Sequence, residues 1–164
     1  MIIIGIDPGL AIMGYGVIEY DGNRLKHIDH GCIYTESDTP MPTRLRQLYD
    51  GVFSLVKTYN PASVAVEELF FSKNVKTAIA VGHARGMALL AAEQNGCVLY
   101  EYTPKQVKQA VVGYGGADKT QVQQMIKVLL NLKEIPKPDD AADALAIAVC
   151  QAHTSRLRHG FRIK

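Results

Sequence analysis

The sequence contains no tryptophan and only three cysteines, Cys32, Cys97 and Cys150. The cysteines are dispersed, odd in number and form no CxxC, which excludes a disulfide scaffold; small buried thiols fit the pattern better. Long apolar runs are missing too, since no stretch approaches the ~18 residues of a membrane-spanning helix. The opening MIIIGIDPG has neither the basic leader nor the cleavage site of a secretory signal, so a cytoplasmic location is expected. Charge of one sign is also scarce. Lys and Arg total 18 against 16 Asp and Glu, a formal net charge of +2, so any charged partner must be argued from where the charges sit. No repeat or low-complexity tract appears. What remains is an ordinary globular composition over 164 residues, 48 % hydrophobic and 21 % charged. A chain of this length buries roughly 70 % of its unfolded surface without a structural metal.

The pattern predicts alternating strands and helices. Ile2 to Ile6 is a β-branched run, the mark of a strand covered on both faces, and Asp7-Pro8-Gly9 ends it in a turn. Tyr15 to Tyr20 and Leu25 to Tyr34, separated by Asp21-Gly22-Asn23, continue as a meander. A helical stripe of Leu45, Leu48, Val52, Leu55 and Val56 predicts a helix over Arg44 to Tyr59, closed by Asn60-Pro61. Val64 to Val66 is a fourth strand, Thr77 to Glu93 a helix with small residues on one side, and Val98 to Tyr102 a fifth strand. Thr103-Pro104-Lys105-Gln106 forms a capping box, and Asp118 caps a further helix running to about Leu132. A last helix is expected from Asp139 to about His153. The result is a three-layer α/β domain over residues 1–155, with a frayed basic tail over 156–164.

Four carboxylates sit where chemistry is easiest to place. Asp7 and Glu67 each end a buried strand, positions also suited to a turn aspartate or to the first polar residue outside a sheet. Asp140 and Asp143 share one face of the last helix. First-turn acids favour the helix dipole, which explains Asp139 and Asp140, but Asp143 lies beyond that turn among alanines. An ionised group on a packed face needs a partner, and no Lys or Arg lies between Lys137 and Arg156. A divalent cation is one economical candidate: Mg²⁺ takes oxygen ligands and completes its shell with waters and phosphates.

Taken together, Gly5-Ile6-Asp7-Pro8-Gly9 with Gly14-Tyr15-Gly16, Val66-Glu67-Glu68-Leu69-Phe70-Phe71, Gln106-Val107-Lys108-Gln109 with Val112-Gly113, and Asp140-Ala141-Ala142-Asp143-Ala144-Leu145-Ala146 resemble the RuvC family of Holliday-junction resolvases. The match runs in order over nearly the whole domain. The resemblance implies a ribonuclease-H-like fold, a five-stranded mixed sheet with helices on both faces. It implies a Mg²⁺-dependent endonuclease of DNA recombination and repair that resolves Holliday junctions by paired symmetric nicks. Asp7, Glu67, Asp140 and Asp143 would hold two Mg²⁺ per active site, with Mn²⁺ as a substitute. Asp139 takes the place of Asp140 if the helix begins differently, and Glu68 is the neighbouring ambiguity. Lys108 and Lys119 match positions used against the DNA backbone near the cleaved phosphate. Phe70, or its neighbour Phe71, would stack on bases where the junction opens. The implied partners are a four-way DNA junction, a second copy of the chain in a homodimer, and the RuvA and RuvB proteins, with no membrane.

Lys119 is also placed by physics. It follows Gly113-Tyr114-Gly115-Gly116 in the first turn of a helix, where a cation opposes the dipole and a phosphate would offset that cost. The small-residue side of the second helix suits either core packing or a second subunit. Three other readings share parts of this pattern: a short nuclease trimming ribosomal RNA precursors, a junction-binding module without catalysis, and an actin-like ATPase. The last needs a second domain of similar size.

Overall fold

The computed structural model describes residues 1–69, 75–155 and 161–163. Five strands, β1 (Ile2–Asp7), β2 (Ile12–Tyr20), β3 (Leu25–Tyr34), β4 (Ser63–Glu67) and β5 (Val98–Tyr102), form one sheet in the order β3-β2-β1-β4-β5. The hairpins pair antiparallel: β2 with β1, and β3 with β2. Helical crossovers bring β4 in parallel beside β1 and β5 in parallel beside β4. The helices are α1 (Met41–Tyr59), α2 (Val75–Glu93), α3 (Pro104–Val112), α4 (Lys119–Leu129) and α5 (Asp139–Thr154). This is the five-stranded mixed sheet with helices on both faces, as expected.

Two apolar cores lie on the two faces. On one, Ile4, Ile6, Val17, Val64 and Val66 meet Leu48, Val52 and Val56 of α1 and the alanines 84, 88, 91 and 92 of α2. On the other, Ile3, Ile18 and Ala65 meet α5, with α3 and α4 packed outside it through Val107, Val111, Val122 and Ile126. Helix α5 is buried on nearly every side from Ala141 to Ala152, which is why its sequence is apolar all round.

Glycines set how close α5 lies. A Cβ on Gly5 would stand 2.1 Å from the Ala144 carbonyl oxygen, one on Gly14 2.0 Å from that of Asp140, and one on Gly16 2.7 Å from Leu145. Only hydrogen in place of a side chain lets the helix backbone rest on β1 and β2. That contact carries the start of α5 over the end of β1.

Both predicted capping boxes form, Thr103 with Gln106 and Asp118 with Gln121. Asn60 ends α1 in the left-handed conformation at φ 44°. Four elements begin earlier than the pattern predicted: β2 at Ile12, α1 at Met41, β4 at Ser63 and α2 at Val75. For α1 the reason is Pro42, which belongs in a first helical turn. Of residues 156–164, the structure describes 161–163, and these lie along the sheet. Phe161 and Ile163 exchange backbone hydrogen bonds with Glu101 and Leu99 along the β5 edge, and the Phe161 ring packs on Tyr102. An unpaired edge strand and an apolar ring account for the docking. Among the described residues no helix is long and apolar enough to cross a membrane.

Candidate active site

Strands β1 and β4 are parallel neighbours, so their last residues emerge at the same edge of the sheet. Alternation along each strand does the rest. Ile4 and Ile6 of β1 and Val64 and Val66 of β4 point to the α1–α2 core, so Asp7 and Glu67 point to the α5 side. There α5 begins with Asp139 and Asp140, and Asp143 follows one turn on, half-buried. The end of α4 nearest to them carries Lys119. Its Nζ lies 3.0 Å from Asp143 Oδ2 and 3.2 Å from Asp139 Oδ2.

The electrostatics record the convergence. Burial, then the negative charges of Glu67, Asp143 and Asp140, push the Asp7 carboxyl up to about 7, with Lys119 pulling the other way. Glu67 is raised by burial and by Asp143, and Lys119 opposes this. Asp143 is raised by burial against the Lys119 bond, with Asp139 and Asp140 adding to the rise. Burial draws the Lys119 ammonium down, but the Asp143 and Asp139 carboxylates outweigh it and hold it above the usual lysine value. One ammonium thus faces several carboxylates, and negative charge is left over.

The neighbouring aspartates separate. Asp140 is the one whose charge bears on Asp7. Asp139 faces outward, held by Lys119 and by Gln123 Nε2 at 3.1 Å, and these bonds lower its pKa. Glu68 is exposed. Lys108 and Lys119 line a cleft of ≈ 250 Å³ together with Glu67 and Asp143. Its floor is apolar: Val107, Val122, Ala146 and Ile147. Phe70 and Phe71, expected to meet bases, lie outside the described residues.

Among the described residues no three carboxylate, imidazole or thiol groups stand close enough together, as placed, to hold one ion. The donor chemistry nonetheless fits a hard divalent cation: the set is all oxygen, anionic, partly buried and short of positive charge.

Two features of the site carried no sequence signal. One is the Lys119 bridge to α5, which supplies the basic partner that α5 lacks; it rests on tertiary contact alone. The other is Arg85 of α2, whose Nε donates to the Glu67 carbonyl oxygen at 3.2 Å.

A family model described as Crossover junction endodeoxyribonuclease RuvC matches residues 3–151. The chain belongs to the RuvC family. Curated RuvC relatives from Alkaliphilus oremlandii and Desulforamulus reducens are 58 % and 60 % identical over the full length of both chains. A T. thermophilus RuvC structure, solved in complex with a Holliday junction substrate, superposes with a TM-score of 0.95 at 36 % identity, covering 99 % of each chain. As a member of this family the chain is a crossover junction endodeoxyribonuclease, an enzyme class that depends on a divalent metal.

Proposed function

We propose that this RuvC chain works as a homodimer in the cytoplasm, resolving four-way DNA junctions by paired nicks with Mg²⁺ held by Asp7, Glu67, Asp140 and Asp143. The observation that carries the site reading is Asp7, half-buried at the end of β1 with three further carboxylate charges bearing on it and one ammonium to answer them. Two divalent cations, when bound, supply the charge that activates a water and steadies the departing 3′-oxygen. The residues of the chain do the remaining work. Asp7, at the strand end between Glu67 and α5, would hold the cations together with those neighbours. Lys119, steered by Asp143, presents positive charge to the phosphate, and Lys108 extends that charge along the cleft. The apolar floor keeps water away from this end of the site.

The dimer reading has its own support. Val75, Ile79, Gly82, Gly86 and Leu90 recur at helical spacing on one stripe of α2, and Val75, Ile79 and Leu90 are exposed. An added Cβ on Gly86 would meet nothing within 4 Å. The buried alanines take the opposite side, and although Gly82 faces Leu69, the stretch around Gly86 is open to a second copy among the described residues. A two-fold protein places one active site on each of two symmetry-related strands. The family resemblance adds RuvA and RuvB as partners.

The test is cleavage of a mobile four-way junction with Mg²⁺, with Mn²⁺, and with EDTA. Paired nicks in strands of like polarity, leaving ligatable 5′-phosphate ends and vanishing in EDTA, are expected. Cleavage undiminished in EDTA, or cleavage of single-stranded RNA in preference to the junction, contradicts the proposal.

A further inference from the structure

Arg85 stands on the α1–α2 side of the sheet, behind the site, with its side chain only 15 % exposed. Besides the Glu67 carbonyl bond, its Nη2 pairs with the Glu101 carboxylate of β5 at 2.5 Å. The guanidinium therefore ties the ends of two neighbouring strands to α2.

The backbone explains why a side chain is needed there. The Glu68 N–H donates to the Tyr102 carbonyl at 2.9 Å, toward β5. Across a trans peptide the preceding carbonyl points the opposite way, so that of Glu67 faces β1. The register of β1 with β4 ends at Ile6 opposite Val66. In a parallel ladder the next donor to the Glu67 carbonyl would be residue 8 of β1, and Pro8 has no N–H. The turn that ends β1 at Asp7 thus removes the ladder bond that would have held β4 at Glu67. The Arg85 Nε supplies the missing donor.

We propose that Arg85 is a positioning residue: it fixes the end of β4 through the Glu67 carbonyl, and so the direction in which the Glu67 carboxylate enters the site, with Glu101 holding the guanidinium in place. The guanidinium reaches the backbone of Glu67 from one face while the carboxylate leaves from the other. Its effect is therefore on orientation, as with the outer partners of metal ligands. This inference rests on the reading of Glu67 as a cation ligand.

The experiment compares Arg85→Gln, Arg85→Lys, Glu101→Gln and Glu67→Gln with the wild-type protein. Three quantities are read: the single-turnover cleavage rate, junction affinity without divalent cation, and the Mg²⁺ concentration at the midpoint of the cation-induced rise in melting temperature. Arg85→Gln is expected to lower the cleavage rate by about tenfold to a hundredfold, the range seen when such outer partners are removed. Its Mg²⁺ midpoint should move to higher concentration while junction affinity stays within about twofold. Arg85→Lys should recover part of the rate, and Glu101→Gln should shift rate and midpoint in the same direction by less. If Arg85→Gln matches the wild type in both while Glu67→Gln abolishes cleavage, the inference is overturned and the site reading stands. If Glu67→Gln itself cleaves at the wild-type rate, the site reading has failed instead. Should Arg85→Gln not fold, the other two variants decide, and wild-type midpoints in both overturn the inference.

Discussion

Asp7 sits in its place at a cost to stability. Its carboxyl is displaced from an ordinary value near 3.8 to about 7, equivalent to roughly 4 kcal/mol at the upper limit. The folded value lies above the unfolded one, so between about pH 4 and 7 the native state holds a proton that the unfolded chain has released. Stability of the metal-free protein must then fall as pH rises through that window and level off above it. Asp7→Asn removes the penalty. In EDTA at pH 8 the variant should melt higher than the wild type, its melting temperature should lose most of the decline between pH 5 and 7, and Mg²⁺ should no longer raise it. Cleavage should be lost while junction binding persists, because affinity rests on phosphate contacts. A variant that melts lower in EDTA and still responds to Mg²⁺ contradicts this account. The two adjacent aspartates offer a second comparison: Asp140→Asn should reduce cleavage by two orders of magnitude or more, and Asp139→Asn by far less. Motif order made the carboxylates legible in the sequence. Lys119 was legible as a cation beside a phosphate site, but not as the partner of Asp143 and Asp139, because that pairing joins α4 to α5 across the fold. Arg85 reads as any mid-helix arginine until the missing N–H of Pro8 is seen beside Glu67.

Elements decide whether those residues meet. The backbone of α5 rests on Gly5, Gly14 and Gly16, and at Gly14 a Cβ would overlap the carbonyl of Asp140 itself. Gly14→Ala should therefore displace the start of α5. Overpacking of this kind costs about 1–3 kcal/mol, or a few degrees of melting temperature per kcal/mol, and cleavage should fall further than stability alone explains. Thermal melts beside cleavage rates test it, and full activity in a stably folded Gly14→Ala protein would show that α5 does not set the site. At the start of α4, Asp118 caps the helix that carries Lys119. Asp118→Ala should lower stability by about 1 kcal/mol, measured by denaturant unfolding. Such caps were readable because they are local: a side chain bonds a backbone N–H three residues on. Strands β3 and β5 were bounded correctly, β3 after the turn Asp21-Gly22-Asn23 and β5 before the cap Thr103-Pro104. The early start of α1 was missed because its apolar stripe begins only at Leu45, after the proline turn has already entered the helix. The docking of Phe161 to Ile163 on β5 depends on an unpaired edge that no local pattern reveals.

At the scale of the whole molecule, weak net charge and a four-way substrate point to symmetry rather than bulk electrostatics. On the proposed dimer reading, the exposed Val75, Ile79 and Leu90 of α2 form the surface stripe that a second copy covers. Leu90→Glu sets a charge in that stripe and should shift the protein toward monomer in analytical ultracentrifugation, turning paired nicks into independent single ones; a fully dimeric Leu90→Glu protein would place the interface elsewhere. The proposed grip of Asp7, Glu67, Asp140 and Asp143 on divalent cations underlies all of this. It is tested most directly by anomalous diffraction from crystals of the protein soaked in Mn²⁺. The account predicts density for two ions at the edge of the sheet, both touching Asp7, one shared with Glu67 and the other with Asp140 or Asp143. Ions bound only elsewhere, or none at concentrations that support cleavage, would contradict it.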